Sequence, residues 1–167
     1  QNCHQWVIAN LATIAAGGVP AGIYPTSSQE QCVYIINHCQ ASLAIVENHE
    51  QLNKLLTIKD QIPSLKAFIL IQGSSSEPNV FSWEEITSKG KQQSNKTLTQ
   101  RLKAQQPEHL ATLVYTSGTT SNPKAVMLSH QNLTWTAATI CTHEFQLSQN
   151  DVLLSYLPLS HIAEQMI

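Results

Sequence analysis

Residues 116–124 form the part of the sequence whose side chains are best suited to chemistry. Five hydroxyl side chains and one glycine occupy positions 116–121, and Pro123 and Lys124 follow. Hydroxyls and free backbone N–H groups donate hydrogen bonds, and a glycine lets the backbone approach a ligand closely. A lysine adds a positive charge within reach of phosphate oxygens. The pattern therefore predicts a loop that binds the phosphates of ATP.

The same residue types also make ordinary surface turns, so composition alone leaves a plain turn as the alternative. The P-loop pattern G-x-x-x-x-G-K-[ST] does not fit, since Pro123 precedes Lys124 and Ala125 follows it. Strand patterns flank the loop at 111–115 and 126–128. We therefore expect hydroxyl and amide donors, rather than a helix N-terminus, to contact phosphate.

The first part of the chain alternates helical and strand patterns. The predicted helices cover 6–16, 27–39 with a Ser27–Glu30 capping box, and 51–59, and the predicted strands cover 19–24, 43–46 and 67–71. Strands joined by helices predict a parallel sheet, and near-continuous apolar strands predict that both its faces are covered. The predicted fold class is therefore α/β, an incomplete parallel sheet with flanking helices.

Patterns are weaker over 73–109, where we expect a connection with short helices near Trp83 and within 89–106. Order returns with predicted strands at 111–115, 126–128 and 152–156, and a helix at 132–145 capped by Ser129 or Asn132. We therefore divide one partial domain into βα units over 1–72, a connection over 73–109, and a segment over 110–167 that carries the chemical motifs.

Composition bounds the remaining possibilities. The 167 residues suffice for one ordinary domain, and 42% apolar residues argue against wholesale disorder. Nine scattered Lys and Arg residues do not predict a nucleic-acid partner, and no apolar run is long enough to span a membrane. Without CxxC spacing we expect free thiols and no zinc site, a Cys32–Cys39 disulfide being the alternative. Trp6 and Trp135 are expected to pack in the core or between helices.

The run YTSGTTSNPK at 115–124 resembles the motif of the AMP-forming acyl-adenylate enzymes, which include acyl-CoA synthetases, luciferases and peptide-synthetase adenylation domains. The runs AVMLSHQNL at 125–133 and YLPLSHIAEQ at 156–165 continue the resemblance. It is closest to the bubblegum-type long-chain fatty acid–CoA ligases, with support from GGVPAGIY at 17–24 and AIVEN at 44–48. The resemblance implies a piece of the large N-terminal domain of the acyl-CoA synthetase fold.

The resemblance also implies a reaction in two steps. A fatty acid carboxylate attacks the α-phosphate of ATP to give an acyl-adenylate and pyrophosphate, and the thiol of coenzyme A then displaces AMP. Mg²⁺ would accompany the phosphates, and His161 would position or gate the substrate, a structural role being its alternative. The residues that the resemblance assigns to ATP are Thr116, Ser117, Gly118, Thr119, Thr120 and Lys124.

Two positions depart from the family pattern, which usually has glycine at 121 and 125, where this chain has Ser121 and Ala125. A glycine there can take a positive φ or permit close approach, so we expect weaker phosphate binding. The family's adenine-binding motif, its Mg²⁺-coordinating glutamate, its ribose-binding aspartate and its C-terminal lysine have no match here. We therefore expect the segment alone to be inactive and to need the remainder of a synthetase chain.

The alternative function is that of a non-catalytic truncated paralogue acting as a binding or interaction module. For the ligase, the expected partners are a fatty acid, ATP and coenzyme A. The expected location is cytoplasmic, with peripheral contact with the endoplasmic reticulum or other membranes, because a fatty acid is the substrate.

Overall fold

The computed structural model describes residues 2–116, 122–144, 148, 150–152, 154–155 and 157–162. Its α-helices are α1 (His4–Ala15), α2 (Gln29–His38), α3 (His49–Thr57), α4 (Trp83–Lys91), α5 (Asn95–Ala104) and α6 (His130–Thr139). A 3₁₀ turn covers Lys59–Gln61, and π-helical residues Ile140–Glu144 extend α6. The strands are β1 (Ala21–Gly22), β2 (Leu43–Val46), β3 (Ala67–Leu70), β4 (Val80–Ser82), β5 (Leu110–Thr116) and β6 (Lys124–Ser129).

The strands form two sheets, which confirms the α/β class but corrects the arrangement of strands. One sheet has the order β2-β3-β4 and is parallel throughout, as predicted for the alternating pattern. The other has the order β1-β5-β6, with β1 parallel and β6 antiparallel to β5. The strand predicted at 19–24 is therefore shorter than expected, and it pairs with β5 rather than with β2 or β3.

Backbone contacts divide the described chain into two units. The first unit contains residues 2–24, 96–116 and the described residues from 124 onward, with the β1-β5-β6 sheet. The second unit contains residues 25–95, with the β2-β3-β4 sheet, together with the described residues Asn122 and Pro123. Each unit is described separately below.

The second unit contains most of the buried apolar side chains that the structure describes. Helix α3 places Leu52 and Leu55 at helical spacing on its buried side, and β3 is buried along most of its length. These side chains join Ile62 and the buried face of α2 in one apolar core, which is the main source of this unit's stability.

Helix α2 is capped one residue later than predicted. The Ser28 hydroxyl accepts from the Gln31 N–H at 3.3 Å, and the Gln31 side-chain oxygen accepts from the Ser28 N–H at 3.0 Å. The pairs Ser27–Glu30 and Ser28–Gln31 have the same spacing, and both satisfy the capping-box pattern. Spacing alone therefore could not decide which serine caps the helix.

The first unit has a thinner core. Ala111, Val114 and Tyr115 of β5 are buried, but α1 and α6 bury no residue completely. Carbonyls at the end of α1 accept hydrogen bonds from the end of α5 and the residue that follows it: Arg101 donates to Ala16 O at 2.9 Å and Gln105 donates to Ile14 O at 2.7 Å. These two bonds fix α5 against the end of α1.

Two predictions in the first unit were wrong. Trp135 was expected to pack, but it is 68% exposed on α6. The predicted strand at 152–156 is not formed at its described residues Val152, Leu154 and Ser155.

The helix predicted at 132–145 begins two residues earlier than expected, at His130 after the cap Ser129. No described helix is long and apolar enough to cross a membrane.

All four cysteine thiols are free, so the Cys32–Cys39 disulfide considered from the sequence is not formed. Cys32 is buried in the second unit, and burial raises the pKa of its thiol. Cys3, Cys39 and Cys141 are half-buried. Cys32 is thus a core side chain rather than a reactive nucleophile.

Candidate phosphate loop and His161 turn

The two ends of the candidate loop lie on neighbouring strands. Thr116 is the last residue of β5, Lys124 is the first of β6, and the two are paired in the antiparallel register. The prediction that strands flank the loop is confirmed. Ser117, Gly118, Thr119, Thr120 and Ser121 lie outside the described residues.

The register places the Thr116 and Lys124 side chains together. Residues opposite each other in an antiparallel pair project to the same face, with Cβ atoms about 4.5–5.5 Å apart. Both side chains are exposed, whereas Tyr115 and Val114 on the preceding part of β5 are buried and hold the strand in place. A hydroxyl donor and an ammonium group at this end of the hairpin suit an anionic oxygen.

Ala125 lies inside β6, opposite Tyr115. Its backbone is extended, and it is not among the described residues with a positive φ. The left-handed strain considered for this position is therefore absent. Of the two advantages that a glycine could offer phosphate binding at 125, a positive φ is not needed, and only a closer approach to the backbone remains.

His161 lies in a separate turn, residues 157–162, which we call the His161 turn. The His161 N–H donates to Pro158 O at 2.8 Å, and the side chain of His161 is exposed. Ser160, the preceding residue, is only 8% exposed. The turn therefore presents the histidine while its neighbour is packed inside the unit.

The His161 turn is seated on strand β1, next to the strand that leads into the loop. Gly22 of β1 touches Ser160 and pairs in parallel with Val114 of β5, two residues before Thr116. Ligands of parallel α/β sheets bind beyond the carboxyl ends of the strands. The His161 turn thus packs on β1, and the loop begins at the end of β5. These two strands are neighbours and run in the same direction.

Two residues near the His161 turn were missed from the sequence. The side chain of Asn2 makes hydrogen bonds to the turn and to the segment before it, and Gly22 packs against Ser160. No local pattern predicts the contacts of either residue, because their partners lie more than a hundred residues away in the chain. Only the three-dimensional arrangement reveals them.

The described part of the site suits phosphate better than a directly bound metal. Thr116 and Lys124 supply a neutral donor and a positive charge, whereas Mg²⁺ prefers carboxylate, carbonyl, water or phosphate oxygens. Among the described residues, no group of three or more His, Cys, Asp or Glu side chains is placed to hold a metal ion. These residues therefore fit the phosphates, to which Mg²⁺ itself commonly binds.

Comparison with known proteins gives a consistent match along the chain. The model of a family described as AMP-binding enzyme matches residues 1–167. The long-chain-fatty-acid–CoA ligase ACSBG2 of Xenopus laevis is 46% identical over 172 residues, which cover 99% of this chain and 23% of that protein. ACSBG1 of Rattus norvegicus, with the same ligase name, is 42% identical over 173 residues, covering 99% of this chain and 24% of that protein. The chain thus spans about a quarter of the length of these relatives.

Solved structures share the fold at low sequence identity. A natural red emitting luciferase from Phrixothrix hirtus has a TM-score of 0.82 at 18% identity, covering 99% of this chain and 32% of that chain. A putative long-chain-fatty-acid CoA ligase from Rhodopseudomonas palustris has a TM-score of 0.76 at 13% identity, covering 99% and 39%. At these identities the similarity supports the fold alone.

Proposed function

Since the chain belongs to the AMP-binding enzyme family, we propose that it forms part of a long-chain fatty acid–CoA ligase. The observation that carries the proposal is the pairing of Thr116 with Lys124 at the two ends of the hydroxyl-rich loop. Support for the acid comes from the relatives at 46% and 42% identity, both of which bear that ligase name. The proposed substrates are a fatty acid, ATP and coenzyme A.

In the first proposed step, a carboxylate oxygen of the fatty acid bonds to the α-phosphorus of ATP, and the bond to pyrophosphate breaks. Negative charge develops on the leaving pyrophosphate. Lys124 and the donors at Thr116, Ser117, Gly118, Thr119 and Thr120 stabilise that charge and hold the β- and γ-phosphates. Mg²⁺, when bound to the phosphates, would further neutralise their charge.

In the second proposed step, the sulfur of coenzyme A bonds to the acyl carbon, the carbon–oxygen bond to AMP breaks, and the thiol proton is released.

His161 is proposed to orient the carboxylate or to gate its pocket. An exposed imidazole on a turn whose neighbouring residue is buried is suited to positioning. We assign it no role as a general base.

The alternative function is a non-catalytic binding or interaction module derived from such a ligase. Ser121 and Ala125, which replace the usual glycines, favour it, as do the exposed side chains of Met127 and Trp135 in the first unit. For the ligase, the same exposed side chains would contact the remainder of a synthetase chain. Both functions leave the isolated segment unable to make acyl-CoA.

Titration of the purified chain with ATP tests the phosphate loop. Lys124→Ala is expected to weaken ATP binding about ten- to a hundredfold, because a hydrogen bond to a charged group contributes about 1.5–3 kcal/mol. Lys103→Ala removes an exposed lysine from α5 and is the matched control. Equal ATP affinity for Lys124→Ala and the unaltered chain would show that Lys124 does not bind phosphate.

A chimera tests catalysis. Residues 1–167 replace the matching segment of the Xenopus laevis relative, and fatty-acid-dependent exchange of pyrophosphate into ATP is measured. The ligase proposal expects exchange and acyl-CoA formation by the chimera, and neither by the isolated chain. A folded chimera that lacks exchange, with or without glycine at 121 and 125, would favour the module. Acyl-CoA formation by the isolated chain would refute its expected inactivity.

A further inference from the structure

The side chain of Asn2 is bonded to the segment that carries His161. Its Nδ2 donates to Ser155 Oγ at 2.9 Å and to Leu157 O at 2.8 Å, and its Oδ1 accepts from the Leu159 N–H at 3.2 Å. An amide has two N–H donors and one carbonyl acceptor, and all three functions are used here. Neither an aspartate nor a leucine could make the same set of bonds.

Gly22 contacts the same segment from strand β1. A Cβ atom built on Gly22 would lie 3.1 Å from both the Cα and the Cβ of Ser160, which is closer than ordinary side-chain contacts. Ser160 is nearly buried, and its hydroxyl has no hydrogen-bond partner among the described residues. Ser160 is therefore held by packing, and the absence of a side chain at Gly22 is what lets it sit there.

These contacts hold the residues that immediately precede His161. Asn2 fixes the backbone at Leu157 and Leu159, Gly22 fixes Ser160, and the next residue is His161, whose N–H closes the turn onto Pro158 O. We propose that Asn2 and Gly22 are positioning residues that set the place of the His161 imidazole at the substrate carboxylate. This inference rests on the role of His161 given under the proposed function.

Hydrogen exchange measured by NMR on the purified chain tests the anchoring without any activity. Asn2→Ala removes the acceptor of the Leu159 N–H, so exchange at Leu159 should accelerate about five- to tenfold, as expected for a lost hydrogen bond of about 1 kcal/mol. The amides of β5 and β6 should keep their rates. His4→Ala, an exposed substitution two residues along the chain, is the matched control. Unchanged exchange at Leu159 in Asn2→Ala would overturn the anchoring.

Kinetics in the chimera test whether the anchoring acts through His161. Asn2→Ala and Gly22→Ala should each lower kcat/KM for the fatty acid about ten- to a hundredfold, with the KM for ATP within about twofold, because misplacement by about 1 Å costs that much. In a His161→Ala background neither substitution should cause a further fall. Gly90→Ala, where an added Cβ meets nothing within 4 Å, should leave all constants unchanged.

The outcomes distinguish a failure of the positioning proposal from a failure of the proposed ligase function. Falls of the same size with and without His161, or a matching rise in the KM for ATP, would assign Asn2 and Gly22 a general structural role and overturn the proposal. A chimera that is inactive before any substitution contradicts the proposed ligase function. The exchange rate of Leu159 then decides the anchoring by itself.

Discussion

Ser121 and Ala125 occupy unlike places around the loop, although both stand where the family usually has glycine. Ala125 is in β6, paired with Tyr115, and its extended backbone suits any residue. Ser121 lies between the paired ends Thr116 and Lys124, among the hydroxyl-bearing residues. We therefore expect any gain from restoring glycine to come from position 121.

Substitution at the two positions should have different effects on the purified chain. Ser121→Gly is expected to raise ATP affinity about threefold or more, as closer backbone approach to phosphate becomes accessible. Ala125→Gly is expected to leave affinity unchanged and to lower the free energy of unfolding by about 0.5–1 kcal/mol, because glycine weakens a strand interior. Calorimetric titration and thermal melts measure both. A gain in affinity from Ala125→Gly alone would contradict this assignment.

At the scale of single elements, the cap of α4 is the clearest example of sequence dictating structure. The Ser82 hydroxyl accepts from the Glu85 N–H at 3.2 Å, and Glu85 Oε2 accepts from the Ser82 N–H at 2.7 Å. Ser82→Ala should lower the free energy of unfolding by about 1 kcal/mol. Ser88→Ala, exposed on the same helix, should change it by less than about 0.5 kcal/mol. Denaturant titration measures both, and equal effects would refute the capping role.

The same cap predicts a pH dependence. The bond from the Ser82 backbone N–H holds the pKa of Glu85 below its usual value. Its contribution to stability is therefore complete above the unfolded pKa and is lost as the pH falls through the lower folded pKa. Glu85→Gln retains an acceptor but cannot titrate, so the acid-side decline in melting temperature should be smaller than in the unaltered chain. Identical melting profiles below pH 5 would contradict this linkage.

Local patterns predicted most elements but not their partners. Strand β2 occurs at the predicted residues 43–46, because a short apolar run bounded by turn residues is a strong local signal. Strand β4 was missed, since three residues carry too little periodicity. The antiparallel pairing of β5 with β6, which brings Thr116 and Lys124 together, depends on tertiary contacts. The motif thus predicted which residues form the loop, whereas the pairing of its two ends and the contacts of Asn2 and Gly22 required the structure.

At the scale of the whole molecule, apolar burial is unevenly divided. The second unit buries Leu52, Ile62 and Leu70 almost completely, whereas nearly all of the exposed large apolar side chains belong to the first unit. Met127 and Trp135 of the first unit are each 68% exposed. The exposure of Trp135 could not be predicted from its type, because tryptophan is highly buried on average.

The second unit is therefore expected to fold by itself. A peptide of residues 25–95 contains the continuous β2-β3-β4 sheet, α2, α3 and their apolar core. It should show a cooperative thermal transition and dispersed amide resonances, as an independent core predicts. Leu52→Ala should destabilise it by about 2–5 kcal/mol, since Leu52 is fully buried. A non-cooperative melt of the unaltered peptide would contradict this expectation.

The pairing of Thr116 with Lys124 at the two ends of the loop also bears on how such loops diversify. Five further residue pairs, from Tyr115–Ala125 to Leu110–Ser129, continue the antiparallel register of Thr116 and Lys124, so the two strands themselves contribute to fixing that register. Doubling the length of a flexible loop costs only about 0.6 kcal/mol in closure entropy. We therefore expect the residues between Thr116 and Lys124 to be exchangeable between homologues, by recombination or by engineering, while β5 and β6 stay paired.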